Sequence, residues 1–103
     1  MKNIKTYKQH ILNESRLSRN ELFDKVEEYF NKQDDTYVKL NFEITHNYQK
    51  LYFTELYKYD GGIYGDDFSF SLKDENGKSA IWYMKTIDIQ TLNDIVEKML
   101  ENS

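Results

Sequence analysis

Acid–base chemistry has few carriers in this chain. Its two histidines are His10, near the N-terminus, and His46, and none of the 103 residues is cysteine. Without cysteine there is no thiolate zinc ligand, no disulfide and no thiol nucleophile. A Ser-His-Asp triad would have to be built on His46. Glu55 stands between Phe53 and Tyr57, and apolar neighbours raise a carboxyl pKa toward the range of a general acid–base. Paired with Asp66 or Asp67 it is the one small-hydrolase centre the residues suggest. A rim carboxylate facing water fits Glu55 more simply. The run from Asp60-Gly61-Gly62 to Gly65-Asp66-Asp67 lacks the lysine and following helix of a phosphate loop. It also lacks the alternation of acids that a calcium loop uses. We read it as a strand connection, and assign no catalytic residue, metal or cofactor.

The aromatic residues say more. Nine Tyr, six Phe and one Trp supply bulk to a chain whose hydrophobic fraction is only 39%. Tyr48, Tyr52, Tyr57, Tyr59 and Tyr64 have the chemistry to stack on bases or to anchor a protein partner. Base stacking needs a basic groove beside it, whereas the formal net charge here is −4. A surface imitating DNA would use Glu27, Glu28, Asp34, Asp35, Asp60, Asp66, Asp67, Asp74 and Glu75. A duplex carries one charge per roughly 1.7 Å of its axis, far denser than those acids. The expectation is a protein partner engaged through Tyr52, Tyr57, Tyr59 and Tyr64 with Asp66 and Asp67 beside them, and no direct nucleic-acid contact. The longest apolar stretch, Ala80 to Met84, is five residues, too short for a membrane span or a signal-peptide core. That predicts a cytoplasmic protein with no membrane partner.

These side chains must be positioned by one compact domain, since 103 residues leave no room for two. Ser18 followed by Glu21 predicts a capping box, with Leu17 and Leu22 as the staple, and a helix from about 19 to 32 with Leu22, Phe23, Val26, Tyr29 and Phe30 on one face. From Thr36 to His46 the period is two, with Val38, Leu40, Phe42 and Ile44 inward. A second strand spans roughly 49–59. Simple alternation places Leu51, Phe53, Glu55 and Tyr57 on one of its faces, Tyr52 and Leu56 on the other. Phe68, Phe70 and Leu72 mark a third strand and 79–85 a fourth. A type I turn with Gly77 in a left-handed bulge position sets Leu72 opposite Ala80 and Phe70 opposite Trp82, which gathers the large apolar groups on one face. Asp88 caps a final helix reaching Glu101, striped by Leu92, Ile95, Val96, Met99 and Leu100. The predicted fold is α+β: helix, four-stranded antiparallel meander, helix, with both helices on one face of the sheet.

Residues 1–14 differ from the remainder. They hold three lysines and one acid, and Ile4, Tyr7, Ile11 and Leu12 make a short apolar stripe, so a basic amphipathic leader precedes the domain at 15–103. Lys5-Thr6-Tyr7-Lys8-Gln9-His10-Ile11-Leu12-Asn13-Glu14-Ser15 resembles the capsid-targeting peptide of internal proteins of T-even-like tailed phages. In that family a maturation protease cuts after a Glu two residues beyond a Leu or Ile. Leu12, Glu14 and Ser15 stand at the matching places. Asn3-Ile4 is an extra pair, and His10 stands where the family prefers an aromatic. The resemblance implies a non-enzymatic protein packaged in the capsid interior and delivered with the genome into the host cytoplasm. There it would bind a host protein such as a defence nuclease. The alternative is a plain interaction module, or a virion or scaffold component, that retains the leader.

Overall fold

The computed structural model describes residues 17–102. Helix α1 spans Arg19–Gln33, strand β1 Tyr37–His46, β2 Gln49–Asp60, β3 Asp66–Lys73, β4 Ser79–Tyr83, and helix α2 Ile89–Glu101, with a single 3-10 turn at Gly62–Tyr64. The strands lie in the order β1-β2-β3-β4, each antiparallel to the next. This is the expected α+β meander between two helices.

Local chemistry fixes the helix ends. The Ser18 hydroxyl accepts from the Glu21 N–H at 3.2 Å while the Glu21 carboxylate accepts from the Ser18 N–H at 3.3 Å, so two orphan donors of α1 are satisfied reciprocally. Asp88 does the same work for α2, accepting from the Thr91 N–H at 3.0 Å and the Thr91 hydroxyl at 2.9 Å. The Thr91 hydroxyl, followed by its N–H, holds the Asp88 carboxyl below the ordinary carboxylate range.

Both helices cover one face of the sheet. That face carries Val38, Leu40, Phe42 and Ile44 of β1, Leu51, Phe53 and Leu56 of β2, and Phe68, Phe70 and Leu72 of β3, all buried. Leu22, Val26 and Phe30 of α1 and Leu92, Ile95, Val96 and Met99 of α2 close over them. Phe68 is central, its ring 5.2 Å from Phe23 and 5.6 Å from Phe30. Gly77 has φ 81° and the register is Leu72↔Ala80, Phe70↔Trp82, as burial of the large side chains requires.

Strand β2 departs from simple alternation. Phe53 pairs with Leu72 and Glu55 with the adjacent Ser71, so Thr54 is an extra residue in the ladder, its hydroxyl donating to the Ser71 carbonyl at 3.1 Å. A bulge of this kind shifts the side-chain phase. Leu56 therefore joins Leu51 and Phe53 in the core, while Glu55 and Tyr57 move to the outer face with Tyr52.

Candidate functional site

The other face of the sheet has no helix over it among the described residues. Three side-chain rows cross it. The first runs Tyr37–Tyr57–Ser69–Tyr83, the second Lys39–Glu55–Ser71–Ile81, the third Glu43–Tyr52–Lys73–Ser79. Beyond the first row Tyr59 pairs with Asp67. Each element supplies these groups because its inward positions are taken by the core, which leaves the alternate positions for the outside.

The rings on this face are organised by one another. Tyr37 and Tyr57 stack with centroids 5.5 Å apart, and Tyr59 meets Tyr83 edge-on at 5.6 Å. Ser69 lies buried between them. The Tyr59 hydroxyl donates to Asp67 Oδ2 at 3.0 Å, and Asp67 Oδ1 accepts from the Phe68 N–H at 2.8 Å. Desolvation, then the hydrogen bond to Asp67, raises the Tyr59 phenol above its ordinary value; desolvation, then the Glu55 carboxylate, does the same for Tyr57. Both rings are thus held in the neutral form, as hydrogen-bonding apolar surface.

At the rim the chain turns through Gly61–Gly65. Gly61 has no room for a side chain: a Cβ there would stand 2.2 Å from the Gly65 carbonyl oxygen. Asp60 Oδ1 accepts from the Gly62 N–H at 2.8 Å, and Lys85 Nζ donates to the Tyr64 carbonyl at 2.5 Å. This pinned turn lifts Ile63 and Tyr64 into solvent, 93% and 81% exposed.

The structure brings Tyr52, Tyr57 and Tyr59 onto one surface and puts Tyr64 on its rim. It separates the two acids assigned with them. Asp67 is only 2% exposed and bound to Tyr59, so its carboxylate positions a ring and is not presented at the surface. Asp66 lies toward α1, 3.7 Å from Lys58, which also pairs with Glu27 at 3.2 Å. Glu55 lies two rows from Asp67, about 14 Å at strand spacing, so the two do not form a carboxylate pair. Among the described residues no group of three or more His, Cys, Asp or Glu is placed to hold a metal ion. Leu12, Glu14 and Ser15 of the leader lie outside the described residues. Tyr37, Ile63, Ile81 and Tyr83 were not singled out from the sequence; Tyr37, Ile81 and Tyr83 alternate with inward-facing neighbours, which was the available signal.

A smaller cleft of about 210 Å³ lies between His46, Trp82, Thr86, Ile87 and Asp88, where the imidazole meets the indole edge-on at 5.5 Å. It carries one histidine and a carboxylate already occupied as a helix cap. No helix among the described residues is long and apolar enough to cross a membrane. No family model matches the chain, and no curated protein or solved structure matches it.

Proposed function

We propose that the chain is a small non-enzymatic phage accessory protein, packaged and delivered with the genome, that acts by binding a host protein such as a defence nuclease. The observation that carries the binding role is the one-sided distribution of exposed apolar surface. Ten large apolar or aromatic side chains are exposed among the described residues, and seven of them, Tyr52, Tyr57, Tyr59, Ile63, Tyr64, Ile81 and Tyr83, lie on the open face or its rim. Patches of this kind mark interaction sites, and tyrosine is enriched among the residues that dominate binding. The phage setting rests on the likeness of the leader.

The target would be gripped at the rim, where Ile63 and Tyr64 are the most exposed of these seven side chains. The immobilised full chain should retain a discrete protein from host lysate. The double variant Ile63→Asp/Tyr64→Asp should release it, because a charge at each tip removes the apolar anchor while touching no core residue. Retention that survives this substitution would place the target elsewhere, and a clean failure to retain any host protein would remove the binding role.

A further inference from the structure

Of the three rows that cross the open face, the first two are self-complementary. Consider a two-fold axis lying parallel to the strands, above the line between β2 and β3. It lays β1 of one copy over β4 of another and β2 over β3, with the first two rows each facing its own copy. In the first row each Tyr57 then stands over the partner copy's small Ser69, and Tyr37 over Tyr83. In the second, Glu55 stands over a serine hydroxyl at Ser71 and the stem of Lys39 over Ile81. In the third, Tyr52 lies toward the Lys73 cation; β1 spends four residues from Lys39 to Glu43 where β4 spends two from Ile81 to Ser79, so exposed Asn41 comes between Lys39 and Glu43 on this edge. Large side chains face small ones in the middle of the first two rows, cations face aromatic or aliphatic surface, and no like charges meet.

Charge and area point the same way. The helical layer, residues 17–36 and 84–102, carries ten acidic and five basic side chains. Two copies therefore repel through their helices. The charged side chains of the three rows are Lys39, Lys73, Glu43 and half-buried Glu55, which sum to zero, so this is the face on which two acidic molecules meet without that cost. Four strands at about 4.8 Å spacing and three rows at about 7 Å give roughly 400 Å² of plane per copy, the rim left out. Side-chain relief brings two such faces to about 1,000 Å² or more, the lower range of specific interfaces.

We propose that the open face is closed by a second copy of this chain in that register, as two sheets packed face to face. The idea rests on the reading of the open face as a protein-binding surface and names its occupant. Because the axis runs along the strands, the two Gly61–Gly65 turns lie at the same end of the dimer. Ile63 and Tyr64 of both copies remain free there, side by side, and offer a bivalent grip to a host target.

The absence of native cysteine makes the register directly testable in the full chain. Residues 39 and 81 share a row at opposite edges of one sheet, about 14 Å apart, beyond the reach of an intramolecular disulfide. Across the proposed interface they face each other. Facing sheets stand about 10 Å apart, too far for a direct disulfide, so the double variant Lys39→Cys/Ile81→Cys should be joined into a two-chain species by a bifunctional thiol reagent of about 5 Å span, and neither single variant should. By sedimentation the unmodified chain should double its mass with concentration. Ile81→Lys should weaken that association about tenfold, since each copy then sets lysine against Lys39, and Ile81→Glu should not. Residue 81 is exposed, so these variants keep the fold. A single species at about 1 mM, where even a millimolar complex is half formed, would overturn the proposal. So would a dimer indifferent to both residue 81 variants and silent in cross-linking. A monomer whose open-face resonances shift with a peptide of residues 1–16, or with a single-stranded oligonucleotide, would assign the face to that occupant instead. Failure here leaves host-protein retention through Ile63 and Tyr64 to stand or fall on its own.

Discussion

Tyr59 donates its hydroxyl to a carboxylate that has almost no contact with water, and this fixes how the ring behaves with pH. Burial, the Asp67 hydrogen bond, the Asp67 charge and neighbouring Tyr83 all raise the phenol above 10.0. The folded protein therefore favours the neutral phenol more than the unfolded chain does. That stabilisation is fully present below pH 10 and is lost as pH rises through the folded pKa. Asp67→Asn removes the charge and keeps a hydrogen-bond acceptor. The Tyr59 titration should fall toward 10 and stop above it, since desolvation, its largest cause, remains. Phenolate absorbance, with Tyr59→Phe to assign the transition, reads this directly; a titration unmoved by Asp67→Asn would mean that the carboxylate does not hold the ring. Tyr52, Tyr57, Tyr59 and Tyr64 were legible as binding candidates because residue type alone carries that signal. Asp67 was not legible as a positioning group, because its role depends on Tyr59 lying opposite in the ladder, a long-range fact.

Elements were legible wherever the signal is local. The Ser18–Glu21 capping box, the Asp88 cap, the period of two along β1 and the Gly77 bulge each need only a few neighbouring residues. The bulge at Thr54 needs β3, since only the Phe53↔Leu72 and Glu55↔Ser71 pairing reveals the extra residue, and it decides which tyrosines face out. The β1–β2 connection is a further case of local conflict. Asn47 and Tyr48 have φ 51° and 64°, the pair of left-handed residues of a type I′ turn. Asn tolerates that region, whereas tyrosine, with a Cβ, is strained there. Tyr48 is also fully exposed and contributes no packing. Tyr48→Gly supplies the favoured Asn-Gly turn and should stabilise the domain by about 1 kcal/mol. The denaturant midpoint should rise with the slope unchanged. A drop would mean that the Tyr48 ring or the unfolded-state entropy of glycine outweighs relief of strain.

For the whole molecule the decisive boundary lies just before α1. Leu17 is clasped at both backbone groups by one side chain of α2: its N–H donates to Asn93 Oδ1 at 2.9 Å, and its carbonyl accepts from Asn93 Nδ2 at 3.2 Å. Arg19 reaches across to donate to the Met84 carbonyl at 2.6 Å, tying the same end to the strand β4 side. The Glu14–Ser15 junction lies two residues upstream of that clasp. Cleavage there would detach three lysines and one acid and keep every cap, core and open-face residue described above. The released domain would carry a formal charge of −6 against −4 for the whole chain, enough to separate the two by anion exchange. The expected result is that protein recovered from mature particles has the intact mass of Ser15–Ser103. Its thermal midpoint should lie within about 2 °C of the full chain, as a change of a few tenths of a kcal/mol would give at this size. Protein of uncut mass in mature particles would remove the main support for packaging and delivery. A truncated chain that melts much lower would show that residues 1–14 belong to the folded unit, and that the likeness of the leader to a removable targeting peptide does not describe its role here.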